Sequence, residues 1–299
     1  MTEPTAASTS SATGSGTTGR GMAVFVCAVA LFGCIDTSAK WLITAGLAPL
    51  VVVFARFVGQ LVLSLAVSLP QGGLSVLRSV NPRLQVLRSV ALAGATLFNF
   101  AALAYLPLST TTAIMFAIPI CTTLLSVPLL GERVTAQRMV GVILGFFGVL
   151  VIVAPWQGSF SWAVLLSMAA VLCASLYFIL TRKLAAEANA THQIWSGGIA
   201  CLLLLPFILG DFTPPQNAME WTVFGLVGFF GVASHSLATL AHRLAPASVL
   251  APILYLQLIF VSLLGYAIFG TVPGPQILLG GTIMVAAGLW LRRTDRGSS

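Results

Sequence analysis

Apolar residues do not alternate with polar ones along this chain; they run on in long blocks. From Gly21 the blocks cover 21–44, 49–69, 86–105, 109–130, 136–154, 161–181, 193–210, 221–241, 246–269 and 275–291. Each is close to the roughly 20 residues that carry a helix across the hydrocarbon core of a bilayer. A spanning segment must satisfy its backbone internally, and a helix does so within one segment. The pattern therefore predicts an all-α membrane protein with ten transmembrane helices. The links are short, several contain proline (Pro49, Pro70, Pro82, Pro155, Pro214, Pro215, Pro273), and they leave little room for a soluble domain. Residues 1–20, rich in Ser, Thr, Gly and Ala, read as a disordered tail. Residues 292–299 read as a second tail. The run from Gly21 is too long for a secretory signal and has no clear small-residue cleavage site.

Composition supports the membrane reading: 58% of the 299 residues are hydrophobic and 7% are charged, with a mean hydropathy of +1.01. A soluble domain carries about 25% charged residues, so water cannot be the solvent for most of this surface. The five cysteines, Cys27, Cys34, Cys121, Cys173 and Cys201, lie inside apolar runs without a C-x-x-C pair or a histidine cluster. They read as small apolar fillers, so neither a metal site nor a cofactor is expected.

The net charge of +7 is an orientation signal and not a nucleic-acid footprint. Arg20, then Arg78, Arg83 and Arg88, then Arg133 and Arg138, then Arg182 and Lys183, then Arg243, and finally Arg292, Arg293 and Arg296 fall at every second link. That is 12 of the 14 basic residues. Cytoplasmic links gather Lys and Arg, so both termini are expected in the cytoplasm.

The chain also resembles itself. "LGERVTAQRMVGVILGFFGVLVIV" from Leu130 and "FGTVPGPQILLGGTIMVAAGLWLR" from Phe269 match at an offset of 139, pairing Gly131 with Gly270, Gln137 with Gln276 and Gly141 with Gly280. Pro107 meets Pro246 at the same offset, and "LFGCIDTSAK" meets "LCASLYFILT" at an offset of 141. Five helices precede the break near Pro155 and five follow it. An odd number per half inverts the second copy, as the alternation of charge requires. Two inverted five-helix repeats with a site between them near the midplane are an arrangement of secondary transporters.

On these residues the chain resembles the drug/metabolite transporter superfamily, in its ten-helix form with two EamA domains. The resemblance rests on Phe32 and Gly33, Lys40, Arg56 with Phe57, and Gly131-Glu132 followed by Gln137, Gly141 and Gly148. The second half departs from it with Thr271 for Glu132 and Ala287 for Gly148. It implies one EamA-like repeat over 21–154 and another over 161–291. It also implies transport of small organic solutes by alternating access, coupled to protons or run as exchange. The set Asp36, Lys40 and Arg56 is similar to a subset that includes riboflavin and S-adenosylmethionine carriers.

Asp36 and Lys40 sit one turn apart on one face of the first helix. Arg56 lies about 10 Å into the second helix, at a depth similar to Lys40, which is about 6 Å from the end of the first. A charge at a helix centre costs about 2.5–3.5 kcal/mol on insertion scales, so the three are expected to pair or to face a wet cavity. Asp36 neutralises one cation, and the positive charge left over suits a carboxylate or phosphate. The competing reading is a structural pair with Lys40 snorkelling to the headgroups.

Further candidates for substrate binding or coupling are Asn99, Tyr177, His235, Tyr255 and Gln257; His235 is also a candidate proton carrier. Pro119 and Pro252 interrupt two helices and are candidate hinges. Gly141, Gly145 and Gly148 form a small-residue stripe suited to close packing, either within the chain or in a homodimer.

The expected function is secondary transport of a small organic metabolite across the inner membrane: an amino acid, or a vitamin- or cofactor-like solute such as riboflavin or S-adenosylmethionine. The alternative is a multidrug or toxic-metabolite exporter. An intramembrane enzyme fits poorly. Ser234 and His235 are adjacent and so point about 100° apart on a helix, and there is no H-E-x-x-H and no second deep aspartate. The expected partners are the solute and the bilayer.

Overall fold

The computed structural model describes residues 10–131, 136–154, 161–210, 212–245, 250 and 253–296. Its helices are α1 (Ser10–Thr44), α2 (Pro49–Gly72), α3 (Pro82–Leu103), α4 (Leu108–Met115), α5 (Ile118–Leu130), α6 (Ala136–Val153), α7 (Ala163–Lys183), α8 (Asn189–Gly210), α9 (Ala218–Leu244), α10 (Leu256–Phe269) and α11 (Pro275–Arg296), with a 3-10 turn over Gly73–Leu77. Among the described residues, seven helical stretches are long and apolar enough to cross a membrane, and three shorter apolar helices complete ten. The apolar blocks thus become helices, with α4 and α5 sharing one block.

Local chemistry sets the boundaries. Asn81 caps α3, its side chain accepting from the Leu84 amide, and Pro82 takes the first helical position. Asn217 caps α9 in the same way. Both residues satisfy an amide that a helix start leaves without a partner. The ends repeat as well: α5 stops at Gly131 and α10 at Gly270, both left-handed, with φ of 70° and 66°. A glycine is favoured at that position because a side chain there would be strained.

Two expectations need correction. The first helix begins at Ser10, not Gly21, so the segment expected to lack structure over 1–20 is helical in its second half. The apolar run supplies the nucleus, so the extension through Ser, Thr and Gly needs no nucleation of its own, although these residues have low helix propensity. The break expected around Pro119 is sharper than a kink: α4 ends at Met115 and α5 starts at Ile118. Pro252, Glu132 and Pro155 lie outside the described residues.

The two repeats interlock. The broadest pairings each join a helix of one half to a helix of the other: α1 with α9, α6 with α11, α3 with α7, α2 with α8, and α2 with α9. Exchanging the halves maps this pattern onto itself. The pairing of α1 with α9 becomes α7 with α3, and that of α1 with α10 becomes α7 with α5. Small residues permit the closest crossings. A Cβ on Gly148 would stand 3.0 Å from the Gly280 carbonyl oxygen, and one on Gly145 would collide with Ile120. That part of the stripe is filled within the chain, between α6, α5 and α11. Gly59 of α2 and Gly228 of α9 approach so closely that a Cβ on either would lie 2.7 Å from the other's Cα.

Candidate functional site

Between the repeats lies a cavity of about 550 Å³. Its polar lining is ordered by α3. Thr96 and Asn99 stand one turn apart on that helix, and each anchors a charge. Asn99 Nδ2 donates to Asp36 Oδ1 at 3.0 Å, and Arg56 Nη1 donates to Thr96 Oγ1 at 3.1 Å. The guanidinium of Arg56, only 4% exposed, also lies 3.5 Å from His235 Nε2 and 4.6 Å from the ring centre of Phe57. The His235 ring packs edge-on against Phe32, centroids 5.1 Å apart. Asp36 and Arg56 share the cavity but make no hydrogen bond to each other; each is held by neutral groups. The Gly59–Gly228 contact explains how Arg56 reaches α9, since it seats α2 on α9 one turn from Arg56.

Of the residues singled out in the sequence, Asp36, Arg56, Asn99, Tyr177, His235, Tyr255, Gln257 and Pro119 line this cavity. Lys40 does not. Its ammonium donates to the carbonyls of Leu103 at 2.7 Å and Leu106 at 2.8 Å, closing the C-terminal end of α3. Four residues put Lys40 on the face of Asp36, but its long stem carries the charge past the cavity to carbonyls left without helical partners. The expected three-charge unit is therefore a pair in the cavity and a separate brace.

Arg88 belongs by the charge pattern to a basic link and its helix edges, yet it is 3% exposed inside α3. Its guanidinium donates to Thr181 Oγ1 (2.8 Å), Tyr177 Oη (3.1 Å), Ser196 Oγ (3.0 Å) and the His192 carbonyl (3.3 Å), and lies 4.6 Å from the Tyr177 ring centre. Beside it, Gln85 bonds His192, and Gln60 bonds Gln193 across α2 and α8. Glu187 accepts from Ser79 Oγ and from the Val80 and Asn81 amides, tying the link before α3 to the link before α8. Arg88 lies just inside the helix start, so only the closure of α7 and α8 over it makes it interior.

At an offset of 141, Asp36 corresponds to Tyr177 and Lys40 to Thr181. The first helix of each half thus holds α3, at opposite ends: α1 through Asn99, Leu103 and Leu106, and α7 through Arg88.

Comparison with known proteins agrees with this architecture. Two matches to the EamA-like transporter family cover residues 19–154 and 161–293. A riboflavin transporter of Brucella anthropi is 27% identical over 283 residues, covering 92% of this chain and 99% of that protein. An S-adenosylmethionine uptake transporter of Rickettsia prowazekii is 27% identical over 76% of this chain and 77% of its own length. A pseudopaline exporter of Pseudomonas aeruginosa is 26% identical over 83% of this chain and 87% of its own. One solved crystal structure superposes with a TM-score of 0.66 at 20% identity over 94% of this chain and 99% of that one, a likeness of fold.

Proposed function

This chain belongs to the EamA-like transporter family and moves small organic metabolites across a membrane, and we propose that the cavity between its repeats is the substrate site, reached from the two sides in turn. The observation that carries this reading is Arg56: a buried guanidinium facing a cavity it shares with Asp36, hydrogen-bonded to Thr96 and His235 and not to the carboxylate. A guanidinium with no carboxylate bonded to it has donors to offer an anionic or accepting group of a solute. Phe32, Phe100, Phe116, Tyr177, Phe178 and Tyr255 give the rest of the lining an aromatic character suited to a planar, vitamin- or cofactor-sized body. The named functions of the riboflavin and S-adenosylmethionine relatives support that size class. The likeness to a pseudopaline exporter supports a second reading, export of a surplus or toxic metabolite through the same cavity.

Access is controlled at the two ends of α3. Opening one side releases the Lys40 brace; opening the other releases the Arg88 brace. The chain sits in the inner membrane with both termini in the cytoplasm, which places the Arg88 brace on the cytoplasmic side. Protons drive transport, taken up by Asp36 or His235, the two titratable groups other than arginine and tyrosine among the described residues of the cavity.

The test is flux in proteoliposomes, with and without a pH gradient, against riboflavin, S-adenosylmethionine, amino acids and cationic drugs. At least one solute should move unchanged and faster under the gradient. Arg56→Gln should insert normally yet lose affinity for an anionic solute by roughly ten- to a hundred-fold, equivalent to about 1.5–3 kcal/mol for a charged contact. Unaltered flux in Arg56→Gln would remove Arg56 from the site.

A further inference from the structure

Most hydroxyls in these helices are used up locally. Thr37 donates to the Gly33 carbonyl, Thr96 to Leu92, Thr111 to Leu108 and Thr123 to Pro119. This back-bonding to the preceding turn is the ordinary state of a threonine in an apolar helix. Thr112 and Thr122 depart from it. Both line the cavity, and each hydroxyl oxygen is buried without a hydrogen-bond partner. A third oxygen of a cavity-lining residue shares that condition, Asn99 Oδ1. The Asn99 amide is turned so that its N–H meets Asp36, which leaves its carbonyl without a donor. Asn99 and Thr112 are 8% and 3% exposed. Unmade hydrogen bonds at buried polar atoms are costly, and most buried polar groups in a folded protein are paired.

We propose that Asn99 Oδ1, Thr112 Oγ1 and Thr122 Oγ1, together with the Asp36 carboxylate, are an acceptor tier that binds the N–H edge of the transported solute. This inference rests on the cavity being the substrate site. The tier can accept at Asn99 Oδ1, at both threonine oxygens and at Asp36, where Arg56 offers only donors. The solute that satisfies both is bipolar: a planar heteroring with imide or amino N–H groups on one edge, and an anionic or strongly accepting group on another. Thr112 and Thr122 are then specificity-determining residues. A site whose buried acceptors need donors rejects an analogue that lacks them, because the acceptors stay unpaired.

Stability and affinity test the tier with opposite signs. Thr112→Val and Thr122→Val remove a hydroxyl at nearly constant shape. If the hydroxyls serve the solute, the solute-free variants should melt at the parent temperature or about 2 °C above it. Affinity for the N–H-bearing solute should fall about five- to tenfold per hydroxyl, and Thr112→Ser should restore it. The probes are riboflavin against its N3-methyl derivative and S-adenosylmethionine against its N6,N6-dimethyl derivative. The parent protein should bind the methylated member of the pair more weakly, and Thr112→Val should narrow that gap. A melting temperature several degrees lower in either valine variant would show the hydroxyl in an internal bond and overturn the proposal. Equal affinity for methylated and unmethylated probes, with flux intact, would overturn it while leaving the cavity as the substrate site. Absence of flux for every solute would overturn the cavity reading and the tier with it.

Discussion

Phe116 and Tyr255 stand 139 positions apart at equivalent places in the two repeats, and their rings meet edge to face with centroids 5.2 Å apart and planes at 88°. Each is at a break: Phe116 follows α4, and Tyr255 precedes α10. Both line the cavity. Equivalent residues that touch lie near the axis relating the halves, so this contact marks the middle of the molecule.

The contact should couple the two breaks. An aromatic pair of this geometry contributes about 0.5–1.5 kcal/mol beyond area burial. Phe116→Leu and Tyr255→Leu should each weaken solute affinity, and the double variant should lose less than the sum. A double-mutant cycle on KM for flux measures that coupling; strictly additive losses would mean that the rings act independently.

Releasing either brace of α3 should bias access to one side. Lys40→Met frees the carbonyls of Leu103 and Leu106, and Arg88→Met frees Thr181, Tyr177 and Ser196. In a background lacking the five cysteines, reporter cysteines at Leu92 and Thr123 should become labelled from opposite sides of the membrane in the two variants. Labelling from the same side in both would contradict the division of the braces.

The crossing of α2 and α9 should tolerate no side chain. Gly59→Val places atoms against Gly228, where a single Cβ already comes within 2.7 Å. Overpacking of this kind costs about 1–3 kcal/mol or more. Melting in detergent should fall by several degrees and Arg56-dependent affinity should fall with it, because the crossing seats Arg56 beside His235. Gly225→Ala is the control, since nothing lies within 4 Å of its Cβ position.

Topology is tested at the C-terminus. A reporter fused after Ser299 should be active only in its cytoplasmic form, as the segregation of the basic links requires. Activity of a periplasmic reporter there would reverse the orientation, including which brace faces the cytoplasm.

The apolar blocks specify the helices because length and polarity leave a spanning segment few alternatives. Asp36, Arg56, Asn99 and His235 were legible for the same reason: an ionisable or amide group inside such a block has a cavity as its low-energy place. Other features depend on how helices meet. Lys40 departs because a flexible stem chooses its acceptor in three dimensions. Arg88 resembles a residue of a helix edge until α7 and α8 cover it. Gly59 and Gly228 are two of 28 glycines, distinguished only by facing each other. Thr112 and Thr122 look like ordinary helical threonines, and only their unused hydroxyls set them apart.

The interlocking of the halves has a consequence for biogenesis. Pairing α1 with α9 joins the chain before residue 44 to the chain after residue 218, and pairing α6 with α11 joins Gly148 to Gly280. Translation delivers the first repeat into the bilayer long before its partners exist. Its inward faces, above all Arg88 of α3, whose guanidinium bonds residues of α7 and α8, must wait there without those helices. Contacts so distant in sequence form late and slowly. The first repeat made alone should therefore be short-lived in the membrane, and the two repeats made as separate chains in one cell should find each other and regain transport.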